Sequence, residues 1–208
     1  MLDLNHLTPA DIAASLQAPS PSSYDVPSLA HMAYRDAGVL IPFLRIEQAW
    51  HLLFIRRPHY AGDMHSGQVA FAGGKHDPED QTLIDTALRE AYEELGIQPK
   101  DVNVLGQLRP HFSVSQFRIT PTVVTMPWPY ILQPSPDEVA HSFTMPLNWL
   151  ANPANHQVHY KTLSTLGNEP IPVIYFEDYY GEVLWGATAR MVLSLIECLN
   201  RQNDLAFH

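Results

Sequence analysis

Cysteine is nearly absent: one residue, Cys198, stands in a chain of 208. A disulfide within the chain is therefore excluded. Basic residues are scarce as well, with 12 Lys and Arg against 22 Asp and Glu and a formal net charge of -10. Proteins that hold nucleic acid or an anionic membrane along a broad surface do so by releasing counterions at a basic face, and this balance excludes that class. A small phosphorylated molecule stays open, because a divalent cation can bridge two anions. No apolar run approaches the roughly 18 residues of a membrane span. The opening stretch MLDLNHLTPADIAASL has no basic segment leading into a long apolar core, so no secretory signal is expected. Repeats and low-complexity tracts are missing too. The expectation is a cytoplasmic protein in a reducing compartment, with no membrane and no nucleic acid as partner. These absences leave room for a homodimer.

What is present is a hydrophobic content of 46%, enough for the core of one domain. Residues 1–30 read as a helical arm and linker, and 31–208 as the main domain. In the arm, Thr8 is an N-cap, Pro9 the first helical residue, and Ile12, Ala13 and Leu16 the apolar side. The Pro/Ser-rich stretch 17–27 is a loop. Large apolar residues over 38–44 and 49–57 predict strands. A loop over 58–67 precedes a short strand that ends in Gly73 and Gly74. A helix is expected from about Gln81 to Leu95, stopped by Gly96. Strands follow over 102–108 and 118–126. Residues 137–153 mix strand and helix signals around Pro146. The stretch 170–185 suggests a hairpin turning near Gly181, and 187–202 is an amphipathic last helix. Strands outnumber helices, which is an α+β layer arrangement.

The central helix carries the chemistry. On a helical wheel Ile84, Leu88, Ala91 and Leu95 share one sector, while Glu90, Glu93 and Glu94 share another. Glu90 and Glu94 are an i, i+4 pair, and like charges so placed cost a few tenths of a kcal/mol each. A hard divalent cation reverses that sign, because carboxylate oxygens are what Mg²⁺ or Mn²⁺ prefers. An arbitrary acidic triplet is most simply a solvated face. Arg89, Glu90, Glu93, Glu94 and Gly96 at these offsets, however, arise by chance in roughly one chain of this length in ten thousand.

The run Arg89-Glu90-Ala91-Tyr92-Glu93-Glu94-Leu95-Gly96-Ile97 resembles the second half of the Nudix box of the Nudix hydrolases. Upstream, Gly74 fits the box, but its acid falls on Asp80 with one residue more than the commonest spacing before Arg89. That form resembles the coenzyme A diphosphatase branch. GQVAFAGGK (67–75), FRITPTVV (117–124), the stretch 137–156 and LWGATARMV (184–192) are similar to segments of the same branch, so the likeness spans roughly 38–199. The branch's upstream motif is only partly kept. Leu52, Leu53, Arg56 and Gly67 stand, Phe54 replaces a threonine, and a second arginine is missing, with Asp63 or Met64 near its place.

The resemblance implies a Nudix fold, a mixed β-sheet packed between helices, and Mg²⁺- or Mn²⁺-dependent hydrolysis of a diphosphate. The implied substrate is CoA or acyl-CoA, split to adenosine 3′,5′-bisphosphate and the (acyl-)4′-phosphopantetheine. It implies Glu90 and Glu94 as metal ligands, Glu93 as a further ligand or the base, and the Gly73 carbonyl as an additional ligand. Arg89 would pair with Asp80 or Asp77 to fix the loop. Glu138, from a later loop, is a candidate base, a turn acid being the alternative. Arg56 and Lys75 are the candidates for substrate phosphates, ahead of Arg57 and Arg118. Two alternatives remain at this point. One is another nucleoside diphosphate derivative (ADP-ribose, NADH or a dinucleoside polyphosphate), supported by the missing arginine. The other is a Nudix-fold binding module without turnover, against which the full acidic set argues.

Overall fold

A computed structural model describes residues 3–17, 22–24, 26, 33–60, 62, 66–162 and 170–206, with side chains up to Arg201. Asp63, Met64 and His65 lie outside the described residues. The central strand β1, Arg35–Ile46, is apolar at almost every position and buried over residues 37–44. A strand apolar on both faces needs a layer on each side. Its neighbours make the sheet mixed. It runs parallel to β7, Phe117–Thr125, from Arg35 opposite Phe117 to Phe43 opposite Thr125. It runs antiparallel to β2, Ala49–Arg56, from Phe43 opposite Leu52 to Ile46 opposite Ala49. On that same edge, residues 37–39 pair instead with β4, Gly73–Lys75. Pro42 falls between these two ladders, at a position paired with neither β4 nor β2. The remaining strands extend the sheet: β3 (Val69–Ala70) and β8 (His141–Pro146) on β2, and β5 (Asn103–Gln107) and β6 (His111–Phe112) on β7.

Alternation along the strands sorts their side chains. Val39, Ile41, Phe43, Leu52 and Phe54 join a cluster with α4, Gly186–Ala206. Leu40, Leu44, Leu53 and Ile55 join a second cluster with Ala87, Ala91 and Leu95 of α2, Leu83–Leu95. The sheet therefore lies between helices, the α+β arrangement expected. The first helix α1, Pro9–Ser15, has Thr8 as its N-cap, and Leu4, Leu7, Ile12 and Leu16 are buried in the α4 cluster. The arm thus packs on the domain. A short α3, Leu147–Leu150, follows Pro146.

Two features differ from expectation. The strand β10, Pro170–Phe176, pairs along its whole length with β9, His156–Thr162, as a separate two-stranded sheet. The expected hairpin at Gly181 is reduced to a tight turn with isolated bridges, Tyr179 to Glu182 and Tyr175 to Trp185. HQVHYKT escaped notice because β9 is largely exposed and lacks a run of apolar residues. Gly38 sets a further constraint. A side chain there would stand 2.5 Å from the Leu83 carbonyl and 3.0 Å from the Ala87 nitrogen, both α2 backbone. Glycine lets α2 lie directly on β1, and this sets the depth of the acidic helix.

His111, 4% exposed, gives the fold an acid-sensitive point. Burial, and then the nearby Arg190, push its pKa from 6.5 down to about 3. Protons therefore bind the unfolded chain first, so this contribution to stability is whole above pH 6.5 and is lost as pH falls toward 3. At pH 5 the loss amounts to about 2 kcal/mol. His111→Gln is expected to flatten the stability difference between pH 7 and pH 5 by that amount in chemical denaturation. Parallel pH dependences in both proteins would refute the assignment.

Candidate active site

The helix α2 opens with a capping box. Thr82 Oγ1 accepts from the Asp85 N–H at 3.2 Å, and Asp85 Oδ2 accepts from the Thr82 N–H at 2.8 Å. Reciprocal caps of this kind satisfy donors that the first turn leaves open. Gly96 closes the helix with φ 71°, where a glycine pays no Cβ penalty. The loop before the helix is fastened by Arg89. Its Nε and Nη2 each donate to Asp80 at 3.0 Å, and Nη2 also reaches the Lys75 carbonyl at 3.1 Å. Thr86 Oγ1 donates to the same Asp80 at 2.8 Å, and His76 Nδ1 lies 3.0 Å from Thr86 Oγ1. The bidentate arginine first, with the Asp77 backbone N–H and the Thr86 hydroxyl, holds the Asp80 carboxyl far below the usual carboxylate range, against burial, which pushes it up. Of the two partners considered for Arg89, the structure selects Asp80.

The three glutamates do not share one environment. Glu94 is 2% exposed and lies on the buried face with Thr86, Ala87, Ala91 and Leu95, while Ile84 and Leu88 sit at its margin. Its Oε2 accepts from the Gly73 N–H at 2.9 Å. The Glu90 carboxylate rests on Gly74 so closely that any Cβ there would overlap it. Glu93 is turned outward, its side chain 50% exposed, and its Oε2 is 3.0 Å from Arg89 Nη1. That same Nη1 is 2.9 Å from Glu90 Oε1. The double glycine is thus the floor on which two carboxylates stand.

A second segment approaches from the sheet edge. The Gln133 N–H donates to the Leu95 carbonyl at 2.8 Å and the Ser135 N–H to the Glu94 carbonyl at 2.9 Å, tying the loop to the end of α2. A turn follows, with the Glu138 and Val139 N–H groups both directed at the Ser135 carbonyl. The negative charge of Glu138 acts on both Glu90 and Glu94. Burial first, then Glu138 and Glu90, push the Glu94 carboxyl up to about 8, against the Gly73 N–H and the Arg57 charge that draw it down. Glu90 is raised too, first by burial and then by Glu93 and Glu138, against Arg89.

Arg56, the last residue of β2, and Arg57, which follows it, act on different partners. Arg56 follows the alternation of Leu52 and Phe54 and is bound by Glu182 at 3.1 Å. Arg57 acts on Glu94 instead. Lys75 is exposed at the end of β4. Arg118 is held by Asp36 through two hydrogen bonds, at 2.5 and 2.8 Å. Phe54, which replaces a threonine in the upstream motif, is a core residue stacked between Phe71 and Phe143 at 4.7 and 5.9 Å. Glu182 escaped sequence reasoning, since nothing local marks it. Sequence resemblance places Arg56 ahead of Arg57, whereas Arg57 is the one whose charge acts on Glu94, and only strand alternation could have signalled this.

The donor set suits a hard divalent cation. Glu94 and Glu90 are half to fully buried carboxylates whose charges repel one another and that of Glu138. Among the described residues no group of three or more His, Cys, Asp or Glu side chains is placed to hold a metal ion. Mg²⁺ is commonly bound by one or two carboxylates together with waters and substrate phosphates, and Glu90 and Glu94 are a pair of that kind.

A glycine floor and an acid-bearing helix on a mixed α+β sheet are what the resemblance to the Nudix hydrolases implies. The comparisons with known proteins agree. Residues 34–166 match the family model described as NUDIX domain. A Nudix hydrolase NudL, named as uncharacterized, from Yersinia enterocolitica is 37% identical over 185 residues, 89% of this chain and 89% of that protein. The protein of the same name from Yersinia pestis is 37% identical over 187 residues, 88% and 89% of the two chains. The solved MutT protein of Methanosarcina mazei shares the fold with a TM-score of 0.50 at 18% identity, over 83% of this chain and 97% of that one. A MutT/nudix family protein of Enterococcus faecalis does so with 0.52 at 13%, over 90% and 66%. The chain belongs to the Nudix hydrolase family. Nudix hydrolases use divalent cations such as Mg²⁺ or Mn²⁺. No helix among the described residues is long and apolar enough to cross a membrane.

Glu94 offers a direct check. Its folded pKa, raised from 4.5 to about 8, means that the metal-free fold binds this proton more tightly than the unfolded chain does. The stabilisation is complete below pH 4.5 and lost as pH rises toward 8. Between pH 6 and pH 8 in EDTA, wild type is expected to lose about 2 kcal/mol relative to Glu94→Gln. Adding Mg²⁺ at pH 8 should raise the melting temperature of wild type and leave that of the variant unchanged. Equal gains would place the cation elsewhere.

Proposed function

We propose that this enzyme hydrolyses the diphosphate of CoA or an acyl-CoA to adenosine 3′,5′-bisphosphate and the (acyl-)4′-phosphopantetheine. The observation that carries the reading is the buried Glu94 carboxylate on the Gly73 N–H, with Glu90 on Gly74 and the charge of Glu138 bearing on both. Glu90 and Glu94 would hold Mg²⁺ or Mn²⁺, with the Gly73 carbonyl as a further donor, and the bound ion would supply positive charge to the diphosphate oxygens. Glu138 accepts a proton from the attacking water as its oxygen bonds to phosphorus, and the bridging P–O bond breaks to release the second phosphate. Glu93, on the exposed side and joined to Arg89, supports Glu90 and is not the base in this reading. Arg57 and Lys75 meet substrate phosphates. Arg89 and Asp80 hold the loop.

The choice of CoA rests on the motif likenesses spread over 38–199. The Phe54 replacement does not count against it, because that position lies in the core. The enzyme is expected to act in the cytoplasm.

A substrate panel tests the reading. CoA, acetyl-CoA, ADP-ribose, NADH and diadenosine polyphosphates are each incubated with Mg²⁺ or Mn²⁺, and products are resolved by chromatography. Release of phosphopantetheine from CoA at the highest kcat/KM is the expected result. Preferred turnover of another compound overturns the CoA assignment, and binding without any turnover overturns catalysis.

A further inference from the structure

Glu182 belongs to no helix or strand. It closes the tight turn before α4, where the Tyr179 N–H meets the Glu182 carbonyl at 3.0 Å and the Glu182 N–H meets the Tyr179 carbonyl at 3.1 Å. Its side chain is 13% exposed and takes two hydrogen bonds. His141 Nε2 lies 2.6 Å from Oε1, and Arg56 Nη1 lies 3.1 Å from Oε2. Bonds to an ionised carboxylate are about twice as strong as neutral ones. His141 and Arg56 are cross-strand partners, the last pair of the β2–β8 ladder. One carboxylate on the α4 side therefore clamps the end of that ladder.

The clamped end is where the Glu138 segment joins the sheet. The Ala140 N–H donates to the Arg56 carbonyl at 2.8 Å. Val139 is buried against the α2 cluster, and Tyr60 Oη donates to the Asp137 carbonyl at 2.9 Å. At its other end the segment is tied to Glu94 and Leu95 of α2. Glu138 is thus suspended between the helix that carries the glutamates and the strand pair that Glu182 holds. From His141 back to Glu138 the chain spans at most about 10 Å, so only a short, hydrogen-bonded segment separates the ladder end from Glu138.

We infer that Glu182 is a positioning residue for the hydrolysis, acting through His141 and Arg56 to hold Glu138 at its working place opposite Glu90 and Glu94. The inference rests on reading Glu138 as the base. A simple surface ion pair in the same place would contribute little and would not communicate with Glu138.

A double-mutant cycle on kcat and KM separates these cases, using the substrate turned over fastest in the panel and saturating Mg²⁺. Glu138→Gln is expected to lower kcat on the order of a hundredfold. Glu182→Gln is expected to lower kcat on the order of tenfold with KM nearly unchanged, as befits misplacement of a group used in the transition state. The double variant should match Glu138→Gln alone, because there is no longer a base to position. An unchanged kcat in Glu182→Gln, or an equal loss with and without Glu138, overturns the inference while leaving Glu138 in its role. Wild-type kcat in Glu138→Gln removes the base assignment itself, and the inference with it. If Glu182→Gln fails to fold, His141→Ala takes its place in the cycle, since His141 is half-exposed. It is expected to show a smaller loss that vanishes in the Glu138→Gln background, and an additive loss overturns the inference.

Discussion

Everything else in this molecule accommodates one buried carboxylate. Glu94 sits at 2% exposure with a single backbone N–H, that of Gly73, directed at it. A charge so placed is expensive to keep ionised without a counter-charge. The cost is tolerable because the helix that bears Glu94 is fixed from three sides. Gly38 lets α2 settle onto β1, the Asp80–Arg89 pair ties the preceding loop to the helix, and Gly96 ends it where the Glu138 segment can hydrogen-bond the last carbonyls. Raised to about 8, the Glu94 carboxyl keeps its proton near neutral pH in the metal-free fold, and a divalent cation that enters takes the place of that proton.

The sheet divides its two faces between this task and its support. On the α2 face stand Glu94, Glu90 and the pull of Arg57. On the α4 face Arg56 is bound by Glu182, Phe54 is stacked in the core, and the N-terminal arm contributes Leu4, Leu7, Ile12 and Leu16. Arg56, the last residue of β2, and Arg57, which follows it, thereby act on different partners. The two-stranded β9–β10 unit belongs to the second face through β10, whose Ile174 and Phe176 join the α4 cluster.

Much of the fold was legible because its signals are local. Thr8 with Asp11 and Thr82 with Asp85 cap their helices, Gly96 stops one, and the apolar runs of β1 and β2 name themselves. Where the signal is not local, reading failed. β9 is exposed at nearly every position and has no apolar run, so only its partner strand reveals it. The link between β1 and β2 turns through Glu47 and Gln48, both at positive φ, with no glycine to announce it. The helical wheel set Glu94 apart from the core face because a wheel knows period and polarity, not what will cover a side chain.

By itself the sequence carried the acid spacing of residues 89–97 and the paired glycines 73 and 74, which are properties of residue order: the spacing points to a cation, and the resemblance of that run to the Nudix box implies a diphosphate. Tertiary structure decided which glutamate is buried, that Arg89 takes Asp80, that Arg57 acts on Glu94 while Arg56 is bound by Glu182, and that a carboxylate from before the last helix meets the strand pair leading to Glu138. Those outcomes depend on which layers meet across the sheet, and burial and charge pairing between residues far apart in the chain exist only once the layers are packed.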